Sequence, residues 1–270
     1  MSVYTEQCGI TVRTVKQMKQ RGEKIACLTA YDATFAAVLD AAGMDVILVG
    51  DSLGMVIQGH QTTVPVTVDD MIYHAKAVAR GARRALRIVD MPFMSYVDSA
   101  HAMANAARLM QEGGAQMVKL EGGETQVEIV RQLDAHGIPV CAHLGLQPQS
   151  IHKLGGYRVQ GRDEPGAKMM LDAASALEAA GAELLVLECI PAALAAQITM
   201  NTSIPVIGIG AGVSCDGQVL VLQDILGISL DKAPRFTRNF LTGATGIPDA
   251  IEQYVRAVKD KRFPSAEHSF

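Results

Sequence analysis

The feature that most constrains the fold is an alternation, repeated about eight times, of strand-length apolar runs with alanine-rich segments of helical period. Each run is apolar at consecutive positions, which is typical of parallel strands covered by helices. Several helical segments end in glycine just before the next run, as expected at a helix C-terminus. The strand candidates are 24–32, 45–52, 86–92, 117–123, 139–146, 183–191, 205–212 and 218–227.

About eight strand–helix units in 270 residues predict an α/β protein with a (β/α)8 TIM barrel. An open, doubly wound sheet is the competing architecture, but it usually contains fewer strands. No linker or low-complexity stretch divides the chain, so we expect a single domain over 1–270. We expect residues 1–23 to form an N-terminal helical extension, within which 11–22 is amphipathic.

Composition excludes several classes of partner. The net charge is −4 and the pI is about 6.0, so the chain lacks the basic footprint of proteins that bind nucleic acid or anionic membranes. Its five cysteines have no paired spacing, which fits a reducing compartment. Apolar stretches are interrupted before the ~18 residues that a membrane span needs, and the N-terminus lacks a secretory h-region. We therefore expect a soluble cytoplasmic protein.

Acidic residues end three consecutive strand candidates: Asp51, Asp90 and Glu121. In a barrel, catalytic groups come from the C-terminal ends of the strands. Side-chain parity supports convergence of these acids, because alternate residues of a strand share a face. By parity Asp51 lies on the face of Ile47 and Val49, so we expect it to follow two side chains that point into the barrel.

Neighbouring strands lie about 4.8 Å apart, so these three carboxylates repel one another unless a cation lies between them. Oxygen ligands favour a hard ion, Mg²⁺ or Mn²⁺, and the lack of a His pair or Cys cluster disfavours zinc. Each acid alone has an ordinary alternative role, as a helix cap or as the partner of a Lys or Arg. Asp32, just before a helical segment, is assigned mainly to capping.

Three further polar residues lie on the predicted strands. Lys119 shares a face with Glu121, where it neutralises the acids or binds a substrate carboxylate, and these roles are compatible. Glu188 ends a strongly apolar run that disfavours its charged form, as expected of a general base. Interaction with the helix that Pro191 opens is an equally good explanation of Glu188. His143 is either a substrate contact or a buried polar filler.

Two long loops leave the second and fifth strands, at 53–66 and about 147–166. Loops of this length in a compact domain are usually lids or binding loops, with disorder as the alternative. The glycines of 206–212 do not form a dinucleotide fingerprint, since Val213 stands where its last glycine belongs. They more plausibly allow a close approach of the backbone, for example to an anion.

The order and spacing of ten motifs over roughly residues 12–270 resemble the ketopantoate hydroxymethyltransferase (3-methyl-2-oxobutanoate hydroxymethyltransferase) family. The motifs are LTAYD, VGDSLGM, GHQTTVPVT, DMPFMSY, MVKLEGG, CAHLGLQPQS, GGYRVQG, LLVLECIP, PVIGIGAG and AEHSF.

The resemblance implies a (β/α)8 barrel that assembles as a homodecamer. It also implies transfer of a hydroxymethyl group from 5,10-methylenetetrahydrofolate to 3-methyl-2-oxobutanoate, with one Mg²⁺ per subunit, in the biosynthesis of pantothenate and hence coenzyme A. The residues that match the family's functional positions are Asp51, Asp90 and Glu121 as Mg²⁺ ligands, Asp51, Ser52, Asp90 and Lys119 as substrate contacts, His143 near the substrate, and Glu188 as proton acceptor.

Two other functions remain as alternatives. A Mg²⁺-dependent lyase or mutase of a 2-oxo acid or phosphonate would use the same barrel and metal. Such lyases are expected to carry a reactive cysteine in a loop, and none of the five cysteines falls in either long loop. A barrel that has lost catalysis and acts as a binding protein would not be expected to retain the three acids and Glu188.

Overall fold

The computed structural model describes residues 9–229 and 233–270, and its eight parallel strands form a closed barrel. Each strand pairs with the next along the chain, and the last pairs with the first. The predicted (β/α)8 barrel is confirmed. The strands are β1 (Ile25–Thr29), β2 (Val46–Val49), β3 (Leu86–Asp90), β4 (Met117–Glu121), β5 (Val140–Gly145), β6 (Leu184–Glu188), β7 (Val206–Ile209) and β8 (Gly217–Leu220).

Helices precede, connect and follow these strands. Asp32 caps α2 as predicted, since its carboxylate accepts a hydrogen bond from the Phe35 amide at 2.9 Å. No helix in the described ranges is long and apolar enough to cross a membrane. The helices are α1 (Val12–Gln20), α2 (Ala33–Ala41), α3 (Leu53–Val56), α4 (Val68–Gly81), α5 (Ser99–Gln111), α6 (Val127–Ala135), α7 (Ile151–Leu154), α8 (Glu164–Ala179), α9 (Ala192–Asn201), α10 (Leu222–Ile225) and α11 (Ile247–Lys259), with 3₁₀ turns at Glu124–Gln126, Pro148–Ser150 and Ala266–His268.

The apolar side chains form two layers that follow the alternation of each strand. One set fills the barrel interior, and the other packs between the strands and the surrounding helices. On β2, Val46 and Leu48 belong to the interior, whereas Ile47 and Val49 belong to the outer layer. Burial on both faces explains why the strands read as uninterrupted apolar runs.

Helix α1 fills the N-terminal end of the barrel. Val15 and Met18 are buried in the interior cluster, against strand residues such as Ile25. Lys19 fixes the helix from its polar side, donating hydrogen bonds to the Thr199 carbonyl at 2.9 Å and the Asp216 carboxylate at 2.8 Å. The amphipathic pattern of 11–22 therefore reflects a helix with one face against the barrel and one in solvent.

The predicted eighth strand is wrong in its second half. Strand β8 ends at Leu220, and α10 follows at once. Leu222 and Ile225 are buried three positions apart, which is helical spacing. The Leu222 amide donates to the Thr29 hydroxyl at 3.0 Å, so a contact with β1 turns the chain. A short apolar run does not distinguish these conformations by itself.

Candidate active site

A cavity of about 670 Å³ lies at the C-terminal end of the barrel, the end predicted to carry function. Both long loops contribute to its lining, through residues such as Met55 and Tyr157. The Tyr157 hydroxyl lies 3.5 Å from the Met55 sulfur, so the two loops meet. The predicted site residues that line the cavity are Asp51, Ser52, Asp90, Lys119, Glu121, His143 and Glu188.

Asp51 reaches the cavity, but the parity argument for it is wrong. Ile47 and Val49 face the helices, so a straight continuation of β2 would direct Asp51 outward. Instead the strand ends at Val49 and the chain turns, so that the Asp51 amide donates to Asp90 Oδ2 at 3.0 Å. Gly50 makes this turn possible, because a Cβ there would lie 2.8 Å from Ser52 Oγ.

Parity does hold for the other acids. Asp90 follows the inward-facing Ile88, and Glu121 follows the inward-facing Met117 and Lys119. Asp90 and Glu121 are 2% and 4% exposed, so their carboxylates are removed from solvent. These two strand ends place their acids as expected.

Lys119 is the cation among these acids. Its ammonium group lies 2.8 Å from Asp90 Oδ1, and both side chains are buried. Burial alone would lower the pKa of Lys119, but the charges of Asp90, Glu121 and Asp51 outweigh it and raise the pKa well above the usual value. Lys119 is therefore a fixed positive charge at neutral pH.

For Asp51, both burial and the neighbouring carboxylates disfavour the charged form. Burial, followed by the charges of Asp90 and Glu121, raises the pKa of Asp51 well above its usual value. Lys119 and a hydrogen bond from Gln149 oppose this shift without cancelling it. The described residues at this point thus bring together more negative than positive charge, an arrangement that a bound cation would stabilise.

Two residues that were not predicted, Gln149 and Tyr96, support the acids. The Gln149 side-chain amide donates to Asp51 Oδ2 at 2.9 Å, and its backbone amide donates to Glu121 Oε2 at 3.1 Å. Tyr96 donates to Gln149 Oε1 at 2.5 Å and accepts the Glu121 amide at 3.2 Å. The loop after β5 thereby holds acids from β2 and β4, and only the folded chain reveals this contact.

His143 lies between two carboxylates. Its Nδ1 is 3.6 Å from Glu121 Oε1, and its Nε2 is 3.3 Å from Glu188 Oε2. Burial and the Lys119 charge act to lower the pKa of His143, but the two carboxylates raise it to about 9. His143 therefore connects the acid cluster to Glu188.

Glu188 is the most accessible of these acids. Its side chain is 14% exposed, against 3% for that of Glu121, although both residues end their strands and line the cavity. The apolar run that precedes it predicted a drier environment. Gly145 allows β5 to approach β6 closely at this point, since a Cβ on residue 145 would lie 2.1 Å from the Glu188 carbonyl oxygen.

The side chains at this site could bind a metal ion, although they do not supply all of its ligands. No group of three or more His, Cys, Asp or Glu side chains within 9–229 and 233–270 is arranged to hold a metal ion. However, Glu121 Oε1 is buried and lacks a hydrogen-bond partner among these residues. Mg²⁺ usually takes one or two carboxylates and completes its shell with water and substrate oxygens. Oxygen donors, excess negative charge and an unpaired carboxylate oxygen suit such an ion.

Comparison with known proteins identifies the family. The family model described as ketopantoate hydroxymethyltransferase matches residues 9–266. The chain belongs to this family. The resemblance of its motifs is thereby confirmed.

Curated members of the ketopantoate hydroxymethyltransferase family are similar over nearly the whole chain. A 3-methyl-2-oxobutanoate hydroxymethyltransferase from Alkalilimnicola ehrlichii is 60% identical over 261 residues, covering 97% of this chain and 94% of the relative. One of the same name from Nitrosococcus oceani is 59% identical, covering 97% and 99%.

Solved structures share the fold at low identity. A putative phosphonomutase from Burkholderia cenocepacia has a TM-score of 0.63 at 17% identity, covering 80% of this chain and 93% of its own. A putative lyase/mutase from the same organism has a TM-score of 0.61 at 17% identity, covering 96% and 97%. These likenesses support the barrel architecture alone.

Proposed function

We propose that this chain transfers a hydroxymethyl group from 5,10-methylenetetrahydrofolate to 3-methyl-2-oxobutanoate, giving 2-dehydropantoate in pantothenate biosynthesis. The observation that carries the proposal is one cavity in which a charged, buried lysine lies among three carboxylates, with a more accessible glutamate beside them. The choice of acceptor is supported by relatives at about 60% identity, which are named 3-methyl-2-oxobutanoate hydroxymethyltransferases.

The keto acid binds through its carboxylate. Lys119 supplies a fixed positive charge, and a charge-assisted hydrogen bond to a carboxylate is roughly twice as strong as a neutral one. Ser52 adds a hydroxyl that lies 2.9 Å from the Tyr31 hydroxyl, which holds it in position. These two groups orient the substrate with its C3 toward Glu188.

Mg²⁺, one per subunit, would be held at Asp51, Asp90 and Glu121, with one or two of these carboxylates in direct contact and the remainder joined through water. Glu121 Oε1 is the oxygen still without a partner among the described residues. When bound, the ion would withdraw electrons from the keto oxygen and so make the C3 proton more acidic. Gln149 and Tyr96 keep the carboxylates of Asp51 and Glu121 oriented for it.

Glu188 acts as the general base. Its carboxylate faces the cavity, and His143 lies 3.3 Å from Oε2 on the other side, which limits its rotation. Glu188 takes the proton from C3, and the enolate carbon then bonds to the one-carbon unit of the folate. Water supplies the hydroxyl oxygen. Both carbon–nitrogen bonds of the methylene group break, and N5 and N10 of the departing tetrahydrofolate keep the electron pairs and take up two protons, one removed from C3 by Glu188 and one from the water.

The direct test is incubation of the protein with 3-methyl-2-oxobutanoate, 5,10-methylenetetrahydrofolate and Mg²⁺. We expect a product heavier than the keto acid by one CH₂O unit by mass spectrometry. Omission of the folate is the control and should give no such product. Absence of this product under saturating conditions would contradict the proposed function.

The mature assembly that we propose is the homodecamer that the family resemblance implies. Sedimentation analysis of the purified protein should then give ten times the subunit mass of 28.7 kDa. A monomer or dimer at micromolar concentration would contradict this part of the proposal. The lyase or mutase alternative has weaker support, since the putative phosphonomutase and lyase/mutase that share the fold are only 17% identical.

A further inference from the structure

The cavity is larger than the keto acid requires. Its volume of about 670 Å³ lies in the range of pockets that bury a drug-sized ligand. A five-carbon acid held at Lys119 therefore leaves most of the space for a second molecule.

The side of the cavity away from the acids is formed by β7, β8 and the residues that follow them. In the closed ring of eight strands, β8 lies opposite β4, which carries Lys119 and Glu121. Gln223 and Asp224, on α10 directly after β8, line the same cavity. They are polar groups that the reaction at C3 does not use.

Gln223 presents an unused hydrogen-bond acceptor. Its Oε1 is buried and has no hydrogen-bond partner among the described residues. Leaving such an acceptor unpaired is unfavourable, so a ligand that donates to it gains affinity. The neighbouring Asp224 accepts a hydrogen bond from the Ser229 hydroxyl and adds carboxylate oxygens beside Gln223.

Apolar and aromatic side chains surround these two acceptors. They include Ile209 at the end of β7, Leu220 and Val221 at the end of β8, and Ile228 and Phe236 beyond α10. Gly210 has a φ of 60°, and a Cβ there would lie 3.1 Å from the Phe236 ring, so the glycine admits the ring. The glycines after β7 were predicted to allow a close approach of the backbone, for example to an anion. At Gly210 the backbone instead lies close to the aromatic rings of Phe236 and Phe270.

A flat ring with two adjacent hydrogen-bond donors on one edge matches this surface. The pterin of tetrahydrofolate has such an edge, formed by its N3–H and its 2-amino group. We propose that Gln223 and Asp224 bind the pterin edge of the folate donor, and that the apolar residues after β7 and β8 contact its faces. The identity of the ligand rests on the proposed function, whereas the site rests on the cavity and the unpaired acceptor.

The first test is calorimetric binding of tetrahydrofolate to the full-length protein without keto acid. We expect Asp224→Asn and Gln223→Leu each to raise the Kd at least tenfold, because each loses an acceptor for the ring edge. The matched control is Asp172→Asn, an exposed aspartate on α8 that pairs with Lys168, and it should bind as the wild type does. Unchanged Kd values for both cavity variants would overturn the proposed site.

A second measurement needs no substitution. Tetrahydropterin, which lacks the aminobenzoyl and glutamate groups, should compete with tetrahydrofolate for the wild-type protein. Failure to compete at millimolar concentration would contradict recognition of the ring edge, whether or not a variant folds.

Exchange of the C3 proton of 3-methyl-2-oxobutanoate into D₂O distinguishes this site from the proposed function. Exchange needs Lys119, Glu188 and the metal but no folate, so Asp224→Asn should retain it while transfer falls. If the wild type shows no exchange, the proposed function fails, and tetrahydrofolate binding still tests the pocket. Loss of exchange in a correctly folded Asp224→Asn protein would contradict the assignment to the folate.

Discussion

Strands β4 and β8 lie on opposite sides of the barrel and deliver very different side chains to the same cavity. Strand β4 contributes Lys119 and Glu121, both buried, whereas β8 contributes Val219 and Leu220. Both strands read as apolar runs in the sequence, and they differ mainly in their inward-facing positions near the C-terminal end. One side is suited to a small charged substrate and the other to a larger flat one.

The comparison also explains why the charged side requires more support. Three buried carboxylates are held by Lys119, by the Gln149 amides and by the Asp51 backbone amide. The apolar side is stabilised by burial and needs few directed contacts. Substitutions should therefore have their largest effects on the charged side.

The largest effect is expected for Glu188→Gln. Removing a general base typically costs 10²–10⁴-fold in rate, and the amide cannot take the C3 proton. The measurement is proton exchange of the keto acid into D₂O by NMR, alongside hydroxymethyl transfer. Glu128→Gln, on the surface of α6 beside Arg131, is the control and should react at the wild-type rate. Full exchange by the Glu188 variant would remove it as the base.

Lys119→Met should destabilise the fold by about 3–5 kcal/mol, because it leaves Asp90 charged and unpaired in the interior. Urea denaturation measures this loss. The double substitution Lys119→Met with Asp90→Asn should recover part of it, since the Asp90 charge is then gone while Asp51 and Glu121 remain without the lysine. If the double variant is as unstable as the single one, the pair is not the source of the loss.

Gln149→Leu should weaken Mg²⁺ binding about 10–100-fold, the usual cost of removing a group that orients a metal ligand. Calorimetric Mg²⁺ titration provides the readout, which a merely structural role would leave unchanged. Gln132→Leu is the matched control, because Gln132 also donates to a carboxylate, that of Glu128, on α6. An unaltered Mg²⁺ affinity in the Gln149 variant would show that Gln149 does not contribute to metal binding.

The smallest effect is expected for Ser52→Ala. Loss of one hydrogen bond costs about 0.5–1.5 kcal/mol, which corresponds to a roughly two- to tenfold rise in KM for the keto acid. Tyr31→Phe breaks the same contact with Ser52 from the other side and leaves the Ser52 hydroxyl in place. Equal KM changes in the two variants would show that Ser52 acts through Tyr31 alone.

The comparison between the two sides shows how much of the site was predictable. Asp90 and Glu121 lie at the end of straight strands, where two-residue alternation determines direction, and their positions were predicted correctly. Asp51 follows the end of β2, where a glycine turn replaces that alternation, so its position was right for the wrong reason. Parity applies only while the backbone remains extended.

Gln149 and Gln223 were not predicted, for a physical reason. Gln149 lies in the 3₁₀ turn after β5, and Gln223 lies on the short helix α10 after β8. Their partners lie far away in the sequence or, for Gln223 Oε1, are missing among the described residues. A glutamine just after a strand is usually a solvated surface residue, so residue type alone did not single them out, although Gln149 lies within the motif CAHLGLQPQS. Contacts between different βα loops form only in the closed barrel, so they cannot be inferred from the local sequence.

The helix at the other end of the barrel has a kinetic consequence. With α1 filling the N-terminal end, the deeply buried acids sit at the bottom of a blind passage. A small molecule bound there is covered by any larger one that arrives afterwards. We expect an ordered reaction, visible in product-inhibition patterns: folate bound first blocks entry of the keto acid, so turnover requires the keto acid to enter first and spent folate to depart before the new hydroxy acid escapes.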